Sequence, residues 1–507
     1  MTTISRLAVN APAVKTAAIV IGLCLGTIAP CAPSDTAAAE GLSAASNRAE
    51  TSANDAPNLI FLLTDQMRAQ ATGYAGDPNL AGKTPNMDKL AEQGVNFSNA
   101  VSTCPVCTPY RAALMTGRYP LSTGVFLNDL QLPAEEVTIA EVYKQAGYNT
   151  AYIGKWHLDG RGRTAYIPPQ RRQGFDYWKV LECTHNYNNS FYYAGDSPEK
   201  KKWPGYDAIA QTEDAARYIR EHAGGEQPFI LFVSYGTPHN PYQTAPAKYR
   251  AMFPPESVEL RPNVPGKGAE VARRELGGYY AHIAALDDCL GRLMATIDET
   301  GIAGDTILVF TSDHGDMLHS HGQYRKQRPW DESVRVPLLI RYPAEQGPAG
   351  REIATPIGTP DIMPTLLQLS GLAIPDTVEG ESLASLVRGG EQPEDRAVLI
   401  ESITPFGEWT RRRGGKAYRG IRTDRYTYVR TLDGPWLLYD NEKDPYQMTN
   451  LIDAADHADL RARLDRTLKE LLQQRGDKFL PGSSYVEKFG HPLNAQGKVR
   501  YKPAGRK

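Results

Sequence analysis

The chain has 507 residues, 41% hydrophobic and 22% charged, a globular composition with enough length for one large core or two smaller ones, which excludes disorder of the whole chain. Its 56 lysines and arginines nearly balance 58 aspartates and glutamates, for a formal charge of −2. That balance excludes a whole-protein attraction to nucleic acid or to an anionic membrane, so any recognition of anions is local.

At the N-terminus, Arg6 and Lys15 precede an apolar run over 17–29 and a small-residue stretch that includes Ala37, Ala38 and Ala39. This pattern predicts an export signal over 1–39, followed by a flexible leader over 40–56 rich in Ala, Ser, Thr and Asn. The run is short and Gly-containing, and nothing later approaches the roughly 20 apolar residues of a membrane span. The expected mature protein is soluble, periplasmic or extracellular, without stable membrane insertion. Lipidation at Cys31 is the lesser alternative, because Pro30 occupies a position where a small residue is needed. Four further cysteines, Cys104, Cys107, Cys183 and Cys289, are too few for a disulfide framework in so long a chain. A pairing of Cys104 with Cys183 or Cys289 stays open.

From residue 58 onward, β-rich runs alternate with helical patterns. The runs are NLIFLL (58–63), TAYIG (150–154), PFILFVSY (228–235), TILVFTS (306–312) and VPLLIRY (336–342). Continuous apolar runs of this kind suit strands covered on both faces. Between them, helices are predicted at TPNMDKLAEQG, with Thr84 as N-cap, Pro85 at N1 and Gly94 as C-cap, and over 138–148, 208–225 and 269–300. The implied fold class is α/β, a large and mainly parallel sheet between helices, assigned to 57–390. After Gly390, AVLIES, AYRGIRTDRYTYVRT and WLLYDNE alternate as an antiparallel sheet would, a helix covers 459–474 and a basic tail follows. Residues 391–507 therefore read as a smaller α+β subdomain.

Open α/β sheets gather their functional groups at the carboxyl ends of strands. Here the runs end in Thr64-Asp65-Gln66, Lys155-Trp156-His157, His239-Asn240 and Asp313-His314-Gly315-Asp316. One such residue is most simply a turn or cap residue; four strands ending this way are not so easily dismissed. Asp65, Gln66 and Asp313 are oxygen donors suited to a hard divalent cation, and Lys155, His157 and His239 are donors suited to an anion beside it. Such a pairing belongs to hydrolytic chemistry.

In STCPVCTPYRAALMTG, Thr108 reads as N-cap and Pro109 as N1 of a helix, which puts Cys107 at the positive helix end where its thiol pKa falls. A thioredoxin-like centre also presents CxxC at a helix start, but the surrounding chain lacks the small βαβ unit. A zinc ribbon needs a second CxxC, which is absent.

CTPYR followed by AALMTGRYP resembles the signature of the type I sulfatases, in the alkaline phosphatase superfamily. The resemblance continues in order through PNLIFLLTDQ, GKWH, TPHNPY, TSDHGDMLHSHGQYRK, WDESVRVPLLIRYP and TPDIMPTLLQLSG, and more weakly through YDNEKDPYQMTNL. It implies an alkaline-phosphatase-like fold, hydrolysis of sulfate esters, and conversion of Cys107 by a maturation enzyme into formylglycine, whose hydrate is the nucleophile. Carried over residue by residue, it implies that Asp65, Gln66, Asp313, His314 and the modified Cys107 lie at a calcium ion. Arg111 would orient the formylglycine, and Lys155, His157, His239 and Lys326 would bind the sulfate and the leaving oxygen. His239 or Lys326 is the preferred proton donor, with His157 aiding the base step.

Two residues depart from the family pattern. Gln66 stands where many members have Asp, and His314 where Asn is common; imidazole is a poor calcium ligand. His314 therefore either faces the scissile oxygen or points to another ion. His185, in a polar-aromatic segment, and His321 are further substrate-binding candidates, whereas His319 and the run Arg411, Arg412 and Arg413 read as surface. The export signal and the aromatic polar segment favour a sulfated carbohydrate over a lipid or steroid ester. The alternatives are a phosphonate monoester or phosphodiester hydrolase on the same scaffold, and a non-catalytic binder of sulfated glycans, against which the full set of donors and metal residues argues.

Overall fold

A computed structural model describes residues 56–347 and 349–501; the expected export signal and all of the leader but its last residue lie outside them. In chain order the strands are β1 (Asn58–Asp65), β2 (Val95–Phe97), β3 (Ala100–Val101), β4 (Asn149–Lys155), β5 (Tyr177–Leu181), β6 (Phe191–Ala194), β7 (Lys200–Lys202), β8 (Phe229–Pro238), β9 (Thr306–Ser312), β10 (Leu338–Arg341), β11 (Arg351–Ile353), β12 (Ile357–Gly358), β13 (Val398–Ser402), β14 (Tyr418–Arg422), β15 (Tyr426–Thr431) and β16 (Gly434–Asp440). Ten of them form one sheet in the order β11-β2-β10-β9-β1-β8-β4-β5-β6-β7. Its centre, β9-β1-β8-β4-β5, is parallel throughout.

The sequence of β1 explains its central place. Leu59, Phe61 and Leu63 enter one apolar core and Ile60 and Leu62 the other, so an uninterrupted hydrophobic run is what a strand covered on both faces requires. One core packs the sheet against the Cys107–Thr116 and Thr359–Leu369 helices; the other packs it against the Asp207–His222 and Ala269–Glu299 helices. Among the described residues no helix is long and apolar enough to cross a membrane.

The structure departs from the sequence reading in three places. VPLLIRY supplies β10, which runs antiparallel to both β9 and β2. A parallel return needs a crossover, usually helical, and the segment between β9 and β10 has only the single helical turn Asp331–Val334 and the short 3-10 piece Ser320–Gly322. Secondly, the Cys107–Thr116 helix starts two residues earlier than a Thr108 cap implies, with extended Val106 as its N-cap. Thr108 is free to act elsewhere: its hydroxyl donates to the His157 carbonyl and accepts from the Asp129 amide. Thirdly, Thr84 holds the N-cap position of the Pro85–Gln93 helix but makes no capping bond, its hydroxyl accepting from the Gly73 amide instead.

The antiparallel sheet β13-β14-β15-β16 and the Ala458–Gln474 helix form as expected. Leu464, Leu468 and Leu472 of that helix pack on Leu399, Ile421, Tyr428 and Leu438. The opposite face meets Val101 of β3 and Val334 of the helical turn Asp331–Val334.

Gly154, one residue before the end of β4, has φ of +106°, and a Cβ there would stand 2.1 Å from the Ser234 carbonyl oxygen of β8. Gly154→Ala is expected to destabilise the fold by about 2 kcal/mol or more, from overpacking and a left-handed backbone together. Denaturant unfolding checks this; a midpoint equal to that of the unchanged protein would contradict it.

Candidate active site

Arg111, fully buried in the Cys107–Thr116 helix, gathers the strand ends. One guanidinium nitrogen donates to the Lys155 carbonyl ending β4 (3.0 Å) and to Ser234 Oγ in β8 (2.7 Å). The other faces Asp313 Oδ2 after β9 (3.2 Å) and Asp65 Oδ2 ending β1 (3.5 Å). The strand ends then bend sharply: Gln66 and His157 hold φ of 72° and 61°, left-handed values that non-glycine residues seldom adopt and that concentrate at functional sites.

Cys107 is the first residue of its helix, and its Sγ lies 3.3 Å from His314 Nε2, 3.0 Å from Lys326 Nζ and 3.8 Å from Asp65 Oδ1. Burial opposes its ionisation, but Lys155, Lys326 and His314 outweigh it and hold the thiol well below its ordinary pKa. Lys155 Nζ is paired with Asp65 Oδ2. Lys326 Nζ lies 3.1 Å from His239 Nε2 and 3.2 Å from His314 Nε2. His239 donates from Nδ1 to the Asn240 carbonyl (2.9 Å), so its Nε2 is the acceptor facing Lys326. Burial and the Lys326 charge hold His239 well below its usual pKa, and it is neutral.

Asp65, Cys107, Asp313 and His314 each offer a ligand atom within 4.8 Å of the others, and all four residues are buried. The donor set fits a divalent cation. His314 donates from Nδ1 to the Gly315 carbonyl (2.9 Å), which turns Nε2 toward the cluster, the orientation expected of a ligating histidine. Gln66 donates from Nε2 to Asp316 Oδ2 (2.6 Å), while its buried Oε1 has no hydrogen-bond partner. An orphaned buried carbonyl oxygen is costly unless a cation or a donor meets it.

Sequence reasoning missed the support of His157. Its Nε2 donates to Asp129 Oδ1 (2.9 Å), and Arg163 grips both oxygens of Asp129 (3.0 and 3.1 Å). Burial opposes the charged imidazole, but Cys183, Asp129 and Cys107 raise its pKa to about 9, so Nδ1 is a donor at neutral pH. Nothing in the spacing of FLNDL marks Asp129; it follows Asn128, which accepts from the Thr108 amide (3.0 Å), and reaches the site only through the fold.

The structure gathers Asp65, Gln66, Cys107, Arg111, Lys155, His157, His239, Asp313, His314 and Lys326 at the carboxyl ends of the parallel strands. His185 joins them, its ring stacked on His239 at 4.4 Å. His321 is not brought in: it stacks on Trp330 at 5.3 Å and bonds Asn263 (3.2 Å). Cys104, Cys183 and Cys289 are buried free thiols, so Cys104 pairs with neither candidate. The pocket above Cys107 has a volume of about 140 Å³ and is bordered by Asn128, Arg163, Phe406, Gly407, Glu408 and Lys498.

A sulfatase family model matches residues 57–372, and a model of the C-terminal region of N-sulphoglucosamine sulphohydrolase matches residues 319–474. An ulvan-active sulfatase of Formosa agariphila is 49% identical over 440 residues, covering 86% of this chain and 84% of its own. An endo-4-O-sulfatase of Bacteroides thetaiotaomicron is 28% identical, over 89% of this chain and 97% of its own. The crystal structure of a phosphonate monoester hydrolase of Agrobacterium radiobacter superposes with a TM-score of 0.68 at 27% identity, covering 88% of this chain and all of that one. Its fold is thus shared by enzymes of two ester chemistries, while the sequence lies nearest sulfatases among these relatives. With the signature cysteine, a buried cluster that could hold a cation and the basic side chains in one pocket, the chain belongs to the sulfatase family of the alkaline phosphatase superfamily and is a sulfuric ester hydrolase.

Proposed function

We propose that the protein removes sulfate from a sulfated carbohydrate, using formylglycine made from Cys107 and one divalent cation, calcium by preference. The observation that carries this reading is the position of Cys107 Sγ, within 3.8 Å of the Asp65 carboxylate, His314 Nε2 and Lys326 Nζ at once. In this structure Sγ stands in for the oxygens of the hydrated aldehyde. The carbohydrate class is supported by two relatives, the ulvan-active sulfatase and an N-acetylglucosamine-6-O-sulfatase of Bacteroides thetaiotaomicron.

The cation, when bound, supplies positive charge against the sulfate and lowers the pKa of an oxygen beside it. Asp65, Asp313, His314 and the Gln66 Oε1 would hold it; the two carboxylates set its charge preference and the neutral amide reduces the anionic count. The formylglycine supplies a hydroxyl nucleophile that an ordinary cysteine lacks.

The remaining groups work on the sulfate and on the protons. Lys155 and His157, both charged, donate to the non-bridging oxygens, whose charge is desolvated in the pocket. His157 is a donor first: the Asp129 carboxylate fixes its tautomer and keeps its proton, so it serves the base step only after handing that proton to an oxygen. Lys326 and neutral His239 face the same spot, with a proton on Lys326 Nζ and an acceptor at His239 Nε2. This pair serves the leaving oxygen, with Lys326 delivering the proton and His239 buffering it. Arg111 touches no substrate; it positions Asp65 and Asp313.

The proposed organisation is an export signal over 1–39, a leader over 40–56, a catalytic domain over 57–390 and a C-terminal subdomain over 391–507. Export to the periplasm or exterior would place the enzyme with polymeric substrates, after maturation of Cys107 by a formylglycine-generating enzyme.

Mass spectrometry of the Cys107 peptide, from protein made in its native host, is expected to find an aldehyde in place of the thiol. Cys107→Ala is expected to lower kcat by on the order of 10⁴-fold or more; an intact thiol in fully active protein would sink the proposal. Chelation is expected to abolish hydrolysis and calcium to restore it, and Asp313→Asn to lower kcat/KM by on the order of 10²-fold, measured with 4-nitrophenyl sulfate. In parallel assays a phosphonate monoester is expected to react far more slowly than the sulfate ester, and the reverse order would overturn the assignment.

A further inference from the structure

The basic tail that follows the last long helix is built into the rim of the catalytic pocket. Residues 492–500 close into a tight hairpin: Asn494 exchanges backbone and side-chain bonds with Lys498 (2.9 and 3.0 Å), Leu493 bridges Val499, and the Arg500 amide donates to the Pro492 carbonyl (2.7 Å). The hairpin is pinned to the catalytic core on three sides. His491 Nε2 donates to the Gly124 carbonyl (2.8 Å), the His491 ring packs on Phe126 at 5.0 Å, and Arg163 Nε donates to Tyr501 Oη (3.3 Å). Leu493 and Val499 pack against the same apolar core as β1.

This holds Lys498 at the pocket mouth, beside the loop that carries Phe406, Gly407 and Glu408. The loop is itself tied to the site, since Phe406 and Gln327 exchange two hydrogen bonds (3.1 and 3.3 Å) next to Lys326. A Cβ on Gly407 would stand 3.7 Å from Lys498 Cε, so the lysine stem lies across the loop with its ammonium group free.

The charges around that mouth are otherwise spent. Asp129 is neutralised by Arg163 and His157. Arg163 is thereby committed to Asp129, and Glu408 faces Arg325 at 3.9 Å. Lys498 has no carboxylate within 4.0 Å among the described residues. An unpaired cation fixed at the entrance of an anion-processing pocket attracts a second anion there.

We infer that Lys498 is a specificity residue that binds a second anionic group of the substrate, a carboxylate or a further sulfate on the same or the adjoining sugar. The inference rests on the sulfated-carbohydrate reading above and deepens it: the preferred substrate is a polyanionic saccharide, not a singly charged ester.

The test compares kcat/KM for four probes: a monosulfated disaccharide containing a uronic acid, its carboxyl-reduced form, a disulfated neutral disaccharide, and 4-nitrophenyl sulfate. Lys498→Ala is expected to lower the ratio of kcat/KM for an anionic disaccharide to that for 4-nitrophenyl sulfate by about fivefold, mainly through KM. Lys498→Glu should lower it further and Lys498→Arg should retain it. The carboxyl-reduced disaccharide should not show the drop, and whichever anionic disaccharide does shows whether carboxylate or sulfate is bound. Ratios in Lys498→Ala equal to those of the unchanged protein for both anionic disaccharides would overturn the inference. So would an equal fall with the carboxyl-reduced form. Turnover of 4-nitrophenyl sulfate by the matured enzyme without turnover of any disaccharide would instead overturn the sulfated-carbohydrate reading on which the inference stands.

Discussion

The buried guanidinium of Arg111 is the contact on which the rest of the structure depends. It joins a helix to the ends of four parallel strands, through the Lys155 carbonyl, Ser234, Asp65 and Asp313. Taking such charges out of water costs several kcal/mol per ion, and the pairing repays that cost only when the geometry and the extra hydrogen bonds are good. An apolar residue there would take the guanidinium from Asp313 and leave Asp65 with Lys155 alone. The arrangement is therefore explained better by what it positions than by what it stabilises: Asp65 and Asp313 are held facing each other, and Cys107, one helical turn before Arg111, is delivered beside both.

With that anchor fixed, the site becomes a problem of balancing charge in a dry volume. Two carboxylates, a depressed thiol and an orphaned amide oxygen occupy one side; Lys155, Lys326 and a charged His157 occupy the other. Burial alone would neutralise most of these groups. They stay charged because each faces an opposite charge, and the pocket is accordingly matched to a ligand that brings a cation and an anion together. The phosphonate hydrolase superposes on the same scaffold, so the fold supplies the general arrangement and the donor set tunes it.

Much of this was legible in the sequence, and the reasons differ by element. Strands β1, β4, β8 and β9 follow from apolar runs whose residues alternate between two cores, a local pattern that burial imposes on any central parallel strand. The residues after those strands were identified because strand ends are where such sheets place chemistry. The reading failed where a residue's partner lies far along the chain. Thr108 has the sequence context of a cap, but the fold offers it the His157 carbonyl and the Asp129 amide instead. The run VPLLIRY marks β10 as a buried strand, whereas its direction depends on what separates it from β9. Asp129 and Lys498 carry no signal of spacing or composition at all, and His321, which the motif resemblance favoured, packs on Trp330.

The sequence by itself determined the α/β class, the order of the buried strands, the cysteine motif at a helix start and the set of polar residues at the strand ends. Each of these depends on hydrophobic periodicity or on short-range backbone geometry, which neighbouring residues impose on one another. Only the tertiary structure decided that His157 is held charged by Cys183 and Asp129, that the Gln66 oxygen is left without a partner, that Cys104 is a free buried thiol, and that the C-terminal hairpin sets Lys498 at the pocket mouth. Those facts arise from contacts between segments up to several hundred residues apart, where electrostatics and burial act through space and leave no periodic trace in the chain.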